Sequence, residues 1–417
     1  MCYAEFASMI PVAGSAYTFT YTTVGEIMAW IIGWDLILEM LMAGSVISKY
    51  WGVYLNDFMR LMGWNANTNL TFGSFHIDIA PIIIVAFFTT LLVFGTKIGA
   101  RVDGAMTVLK IAIVFFVVIV GFFYVKASNF TPFIPPSQPA STVEGSSAVT
   151  GVMTQPLWQF ATGMTPSVYG VPGILSGAAL VFFAFIGFDV VATASEETKN
   201  PHKNVPLGIG VGMLLIIVMY MLVAVVTTGM VSYADLAKQD SPSLATAFEL
   251  VGADWAAKII SFGIVLGLAT VVMVLLLGLT RIVFAMSRDG LLPRGLSKTG
   301  KHGTPAALQI VVGAVVALVA AFFDIGVLSD MVNIGTLSAF TLVAISIPIM
   351  RKKRPDLPRA FKMPGSPWIP ILIAVANFWL MLNLSVLTWI RFVVWLVVAS
   401  PSTSATATGM RASARAT

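Results

Sequence analysis

Ten long apolar runs dominate the chain and set the strongest limit on what it can fold into. A membrane-crossing helix needs about 20 consecutive apolar residues, because the hydrocarbon core of a bilayer is roughly 30 Å thick. Charged residues make up only 10% of the sequence and the mean hydropathy is +0.90, which is too apolar for a water-soluble domain. The runs cover 26–48, 79–96, 104–125, 173–195, 206–229, 256–286, 306–323, 327–350, 367–385 and 386–400. The sequence therefore predicts an all-α, polytopic membrane protein.

Basic residues in the predicted loops indicate the orientation of these spans. Alternate loops carry fourteen lysines and arginines, against five in the opposite set, and the richer set lies in the cytoplasm by the positive-inside rule. The poorer set comprises Lys49, Arg60, Lys126, Lys238 and Lys258. This orientation places 127–172 outside and makes the stub 1–12 a helix that runs inward. The run 256–286 is too long for a straight crossing, so we expect it to be tilted or to extend beyond the bilayer.

Several classes of protein are excluded or disfavoured. Cys2 is the only cysteine, so neither a disulfide framework nor a cysteine metal site is available. His76, His202 and His302 fall in predicted loops, which argues against a histidine metal cluster. No phosphate-binding, dinucleotide-binding or nucleophile–histidine motif is present, so we expect no cofactor and no enzymatic turnover. The net charge of +5 calls for no nucleic-acid partner, and the lipid bilayer is the expected surrounding.

Four ionisable residues inside the spans are candidates for function, because burying a charge in hydrocarbon costs several kcal/mol unless it is paired or hydrated. Asp35 and Glu39 are four apart and share one helix face, which must look into the bundle or a water-filled cavity. Either acid could line a central site or only brace helices. Lys110 is either a snorkelling lysine or one that gains and loses a proton in each cycle. Asp189 is either a functional acid or a structural cap.

The segment Gly177 to Asp189 combines aromatic residues, a glycine in the middle of a span and an acid two residues further on. A glycine within a helix lowers its stability by about 1 kcal/mol relative to alanine. Transporters unwind helices at such points, which frees backbone groups to bind a charged ligand. Close packing of helices against Gly187 is the alternative explanation.

Several stretches together resemble the amino acid–polyamine–organocation superfamily, and within it the bacterial members of the cationic amino acid transporter family. They are Cys2-Tyr-Ala-Glu-Phe-Ala-Ser-Met-Ile-Pro-Val-Ala-Gly-Ser-Ala-Tyr17, Gly33-Trp-Asp-Leu-Ile-Leu-Glu39, Phe183-Ala-Phe-Ile-Gly-Phe-Asp189, Glu196-Glu-Thr-Lys-Asn-Pro201, Ala285-Met-Ser-Arg-Asp-Gly-Leu-Leu-Pro293 and the basic loop Pro355 to Pro364. The resemblance runs from residue 1 to about residue 398 and is specific as a set.

The resemblance implies a LeuT-like fold, with two inverted five-helix repeats followed by two C-terminal helices. On this reading the chain begins near the end of the family's helix 2, so helix 1 and part of helix 2 are missing. In the family, helix 1 carries the glycine-rich segment that holds the substrate carboxylate, so we expect residues 1–417 alone to bind substrate poorly. We expect a transmembrane transporter domain over 1–400 and a disordered tail over 401–417, which is small, polar and of low complexity.

The resemblance also assigns site residues. The carbonyls of Phe183, Ala184 and Ile186, beside Gly187, resemble those that receive the substrate ammonium, and Phe183 resembles an external aromatic gate. Lys110 matches the family's proton-linked lysine, and Asp189 and Glu39 match acidic positions at or below the central site. The side-chain pocket is expected around Leu275, where the neighbouring residues are Val271, Val272 and Val274.

The expected function is secondary active transport of an amino acid across a bacterial plasma membrane by alternating access, with the proton as coupling ion. The apolar face around Leu275 disfavours a charged substrate side chain and favours small or neutral amino acids. A cationic amino acid or polyamine carrier is the alternative within transporters. A non-transporting membrane sensor or subunit with the same fold is the alternative from another class.

Overall fold

The structure, a computed structural model, is built almost entirely of helices. It describes residues 1–9, 26–64, 68–72, 75–95, 100–142, 151–187, 198–239, 242–300, 304–353, 355 and 359–398. The first part contains α1 (Cys2–Met9), α2 (Glu26–Leu61), α3 (Ile79–Val93), α4 (Ala100–Phe122), α5 (Leu157–Thr162), α6 (Gly170–Val181) and α7 (Pro201–Met230). The second part contains α8 (Tyr233–Ala237), α9 (Leu244–Leu250), α10 (Asp254–Arg288), α11 (Ala306–Phe322), α12 (Ile325–Lys353), α13 (Trp368–Leu382) and α14 (Val386–Val398).

A described helix overlaps each of the ten predicted spans, but in 173–195 the α-helix ends at Val181 and residues 188–195 lie outside the described residues. By length and composition, five described helices are long and apolar enough to cross a membrane, and five shorter apolar helices accompany them. The long apolar run 256–286 lies within the 35-residue helix α10, which is longer than a single straight crossing requires. The chain is therefore a multi-pass membrane protein. The tail 401–417 lies outside the described residues.

The helix α2 is longer than the sequence predicted. Its apolar run stops at residue 48, but the helix continues to Leu61 and has 36 residues, or about 54 Å at 1.5 Å per residue. Lys49 and Arg60 therefore lie on α2 and Lys258 lies on α10, not in loops as predicted. The histidine prediction also needs correction, because His76 lies in a strand and His202 in the first turn of α7, while His302 is outside the described residues.

Two small antiparallel sheets connect helices on the predicted outer side. The strands β1 (Asn69–Phe72) and β2 (Phe75–Asp78) form a hairpin between α2 and α3. The strands β3 (Gln138–Pro139) and β4 (Ser167–Val168) pair within the predicted external loop. Four short 3-10 helices complete the described structure, at Ala127–Phe130, Ala140–Thr142, Phe182–Phe185 and Arg294–Ser297.

Helix ends follow local chemistry. α7 begins with Pro201 in its first position, where the missing N–H costs nothing, directly after Asn200 in a left-handed conformation. α8 begins after Ser232, whose hydroxyl accepts the Asp235 N–H at 3.2 Å. The same hydroxyl donates to the Asp235 carboxylate at 2.7 Å and holds the pKa of Asp235 below its usual value. The first of these bonds satisfies one of the backbone N–H donors that a helix start leaves unpaired.

The centre of the fold is α2, which packs against α10, α11 and α12. In its most apolar 18-residue stretch 78% of the residues are buried, against 11% in α4 and 17% in α7. Exposed side chains on α4 and α7 are mainly large and apolar, including Phe115, Phe122 and Leu214. A helix that exposes an apolar surface of this kind suits a hydrocarbon surrounding. The buried face of α2 therefore lies in the interior of the bundle, and polar residues on this face are candidates for function.

Candidate functional site

The helix α6 ends at Val181, within the segment Gly177 to Asp189 that the sequence singles out, and we call the residues 182–187 that follow it the break. Regular α-helix ends at Val181, a 3-10 turn runs over Phe182–Phe185, and Gly187 has a φ of +116°. L-amino acids with a Cβ rarely adopt such a φ, so glycine is required by the backbone here. Because the α-helical pattern of hydrogen bonds stops, the carbonyls of this segment are freed for other donors. Asp189, two residues further on, lies outside the described residues.

Two of the three carbonyls predicted to receive a substrate ammonium already have a partner. The Ile186 N–H donates to the Phe183 carbonyl at 3.1 Å, within the turn. The Tyr220 hydroxyl of α7 donates to the Ala184 carbonyl at 2.5 Å. Ala184 is exposed, so its carbonyl oxygen, which has two lone pairs, retains capacity for a second donor.

Aromatic and amide contacts tie the end of α6 to α12. Phe182 meets Phe340 edge to face, with ring centroids 5.6 Å apart. The Asn333 amide donates to the Leu180 carbonyl at 3.2 Å, in the last turn of α6. Tyr3 of α1 also meets Phe340 edge to face, at 5.2 Å. The break therefore contacts α7 through Tyr220 and α12 through Phe340.

The predicted acids Asp35 and Glu39 are both fully buried on α2. The Ser338 hydroxyl of α12 donates to Asp35 Oδ2 at 2.9 Å, so Asp35 joins the two helices. Its second oxygen, Oδ1, makes no hydrogen bond to any described residue. Gly335 brings the helices close together at this level, since a Cβ placed there would lie 3.7 Å from the Asp35 carbonyl oxygen. The structure thus places Asp35 in a contact between α2 and α12.

The predicted side-chain pocket residue Leu275 is buried in α10, with 5% of its surface exposed. Its Cβ faces Gly44 of α2, where an added Cβ would lie 3.9 Å away. Phe183 and Ile186 are half-buried and pack against the same apolar cluster that contains Leu275 and Val272. The segment at the break and this face of α10 therefore share one apolar interior.

Lys110 lies near the middle of the 23-residue α4, and its neighbours in the helix are mainly apolar. Its aliphatic stem runs across Gly267 of α10, where an added Cβ would lie 3.3 Å from Lys110 Cγ. Lys110 is half-buried and has an interaction with the surrounding protein. The depth in the helix and the close-fitting glycine place the lysine between α4 and α10, away from either helix end.

Comparison with known proteins identifies the family. A family model described as amino acid permease matches residues 1–411. The chain belongs to the amino acid permease family. It is 42% identical over 406 residues to the branched-chain amino acid permease BcaP of Bacillus subtilis (strain 168), a match that covers 95% of this chain and 80% of that protein.

Two further relatives widen the range of named substrates. The permease is 37% identical over 403 residues to the methylthioribose transporter of the same bacterium, again with 95% and 80% covered. It is 34% identical over 360 residues to the vacuolar cationic amino acid transporter 4 of Arabidopsis thaliana, which covers 85% of this chain and 55% of that protein. The family consists of transporters, so the permease is not an enzyme, as the sequence predicted.

Glu5 was not predicted as a functional residue, but in the structure it joins a cluster of charged contacts. The carboxylate is fully buried in α1 and accepts Arg351 Nε at 2.9 Å and Nη2 at 2.6 Å. It also accepts the Met363 N–H at 2.8 Å, and Arg359 Nε lies 3.6 Å away. An acid in an otherwise apolar stub, facing the strongly basic loop after α12, was the available signal. This cluster fastens α1 to the predicted cytoplasmic end of α12.

A second ion-pair cluster lies at the other end of the bundle. Arg60, in the last turn of α2, binds Glu249 of α9 through two hydrogen bonds of 2.9 and 2.8 Å. The Ser243 hydroxyl, at the start of α9, donates to Asp57 at 3.1 Å. The short helix α9 is therefore fixed to the projecting end of α2.

Ser338 and Tyr220 were also not predicted from the sequence. A single hydroxyl in an apolar span gives no sequence pattern that indicates its hydrogen-bond partner.

Proposed function

We propose that the permease is a secondary transporter that moves amino acids with small or aliphatic neutral side chains, by alternating access. The observation that carries the proposal is the break in α6, where the α-helix ends beside an apolar cluster and the carbonyls that follow no longer take part in α-helical hydrogen bonds. A substrate ammonium needs such acceptors, because an unpaired cation in a dry interior costs several kcal/mol. In this proposal, Phe183 closes the site from outside, Ile186 and Gly187 complete the unwound segment, and Asp189 is a further substrate-binding residue.

Apolar surroundings support a neutral aliphatic side chain. Leu275 and Val272 lie on the α10 face that shares an interior with Phe183 and Ile186. A guanidinium or ammonium side chain in such surroundings would need an acid aimed at it. The branched-chain substrate in the name of the relative with 42% identity agrees with this reading. Valine, leucine and isoleucine are therefore the preferred substrate class.

The proposed architecture is the LeuT-like fold of the family. α2, α3 and α4 correspond to three helices of the first inverted repeat, and α6, α7, α10, α11 and α12 to the five of the second. α13 and α14 follow as the two additional helices. Lys110 is proposed to carry the coupling proton, with α10 packed on its stem, and the plasma membrane of a bacterium is the proposed location.

A cationic amino acid is the second candidate, and one observation favours it. Asp35 is buried with an oxygen that has no hydrogen bond to any described residue, so a cationic side chain would find an acceptor there. The relatives named as cationic amino acid transporters are in keeping with this alternative. The contact from Ser338 argues for a bracing role instead, because it already orients the carboxylate between α2 and α12.

The test is competition for uptake. The gene is expressed with its native upstream sequence retained, so that the result does not depend on where the chain begins. Uptake of labelled leucine is measured in cells without their own branched-chain carriers, against excess valine, alanine, arginine, lysine or methylthioribose. Valine and alanine should compete and the other three should not. Competition by arginine but not by alanine would reject the apolar-pocket argument, and absence of any amino acid uptake would favour a non-transporting sensor.

A further inference from the structure

Tyr220 makes a side-chain hydrogen bond to a carbonyl of the break in α6. It lies in the middle part of the 30-residue α7. Its hydroxyl donates to the Ala184 carbonyl at 2.5 Å, and its ring meets Phe185 edge to face with centroids 5.3 Å apart. One side chain thus contacts two consecutive residues of the segment, one through its backbone and one through its ring.

This contact has a physical consequence for the direction of the carbonyl. In a regular helix each carbonyl points along the axis toward an N–H four residues later. Beyond Val181 the α-helix has ended, so that pattern no longer fixes the direction of the Ala184 carbonyl. The short hydrogen bond from Tyr220 replaces it. Since a carbonyl oxygen has two lone pairs, a second donor can still bind on the exposed side of Ala184.

Packing alone does not explain the hydroxyl. A phenylalanine at position 220 would keep the ring contact with Phe185, and its side chain is more apolar and so better suited to a membrane span. A phenol oxygen is stabilised there only when it has a polar partner, and the Ala184 carbonyl supplies one. The hydroxyl therefore acts on the backbone of the break rather than on the packing of α7.

We propose that Tyr220 is a positioning residue for the substrate ammonium, and that it acts by orienting the Ala184 carbonyl. This inference rests on the proposed function of the break. Tyr220 itself does not need to touch the substrate. Its effect falls on the part common to all amino acids, so its loss should weaken every amino acid substrate by the same factor, whatever the side chain.

The experiment compares Tyr220→Phe with the unaltered permease, expressed as above, in initial-rate uptake of labelled leucine, valine and alanine. The expected result is a rise in KM of about 5- to 20-fold, the size expected for the loss of one hydrogen bond. The rise should be equal for the three substrates within about twofold, with the maximal rate and the apparent melting temperature nearly unchanged. Tyr233→Phe is the matched control, since Tyr233 is as exposed as Tyr220 and its ring also makes an edge contact, with Tyr169. It should leave all three KM values unaltered.

The outcomes separate this role from the others. An unchanged KM in Tyr220→Phe, with a defect only in Tyr220→Ala, would show that the ring matters and would overturn the inference alone. A KM change that differs between leucine and alanine would assign Tyr220 to side-chain selection and also overturn it. No uptake of any amino acid by the unaltered permease would remove the proposed function, and this role with it.

Discussion

Removal of the Glu5 charge should release α1 from the end of α12. In Glu5→Gln the side chain keeps its size, but one of its oxygens becomes an amide N–H donor. In the unaltered protein, two N–H groups of Arg351 and the backbone N–H of Met363 donate to the Glu5 carboxylate, and Arg359 lies close by. The new N–H therefore faces other donors wherever it is placed, and the arginines lose the anion that balances them.

The size of the effect follows from burial. Breaking a buried ion pair by removing one partner costs about 3–5 kcal/mol. Glu5 is fully buried, but the Arg351 side chain is 27% exposed and can regain water, so the expected cost is lower, about 2–4 kcal/mol. Because 1.4 kcal/mol corresponds to a tenfold change in an equilibrium, local opening should rise about 30- to 700-fold.

Cys2 reports this opening directly, because it is the only cysteine of the chain. Its thiol is buried and lies 3.2 Å from the Met363 sulfur, beside the Glu5 cluster. The assay is the rate of alkylation by N-ethylmaleimide in the purified, detergent-solubilised chain, under conditions where opening is faster than the reaction. Glu5→Gln should react at least tenfold faster than the unaltered protein, while size-exclusion elution remains that of a folded protein.

The matched control is the same substitution at the other end of the bundle, Glu249→Gln. It removes a carboxylate from the exposed pair with Arg60 and should leave the Cys2 rate unchanged. Equal alkylation rates in Glu5→Gln and the unaltered protein, within twofold, would refute the reasoning. They would mean that apolar packing alone holds α1 in place.

Three further perturbations have definite expected outcomes. If Lys110 carries the coupling proton, leucine uptake by the unaltered permease should rise from pH 7.5 to pH 5.5, and Lys110→Met should abolish this rise; unchanged pH dependence in Lys110→Met would contradict proton coupling through this residue. Gly267→Val, whose larger side chain would collide with the Lys110 stem, should reduce uptake more than Gly267→Ala. Arg60→Gln should lower stability by only about 0–1 kcal/mol, because the Arg60–Glu249 pair is exposed, and should do so less at high salt; a larger loss in a melting experiment would show that α9 depends on this pair. Gly187→Ala should reduce uptake, because a Cβ is strained at the φ of +116°, and an unaffected rate would show that the break does not need this conformation.

The positions of the spans were predictable because hydrocarbon imposes a continuous apolar run on any helix that crosses it. The same reasoning misplaced the end of α2, since a helix that leaves the bilayer can continue with charged residues such as Lys49, Asp57 and Arg60. The hairpin at 69–78 was missed because its strands have four residues each, too short for alternation to be recognised. The orientation of the bundle stays a prediction.

An unwound backbone at Gly187 was one of the two explanations that the sequence allowed, because a glycine in an apolar, aromatic span is unfavourable unless the backbone or close packing needs it. Its partners were not visible. Tyr220 and Ser338 are hydroxyl residues whose significance depends on which helix they face, and that is decided by tertiary packing over separations of 36 and 303 residues. Glu5 became important only when the basic loop after α12 was brought against α1. The roles predicted for Lys110, Asp35, Glu39 and Leu275 remain proposals.

Counterflow in proteoliposomes tests the central claim most directly. Vesicles that contain the permease, produced with its native upstream sequence, are loaded with unlabelled leucine and diluted into a trace of labelled leucine. The proposed carrier of aliphatic amino acids should accumulate label transiently above equilibrium, and vesicles loaded with valine should do the same. Accumulation with arginine-loaded vesicles but not with leucine- or valine-loaded ones would contradict the proposed substrate class, and no accumulation with any amino acid would contradict transport itself.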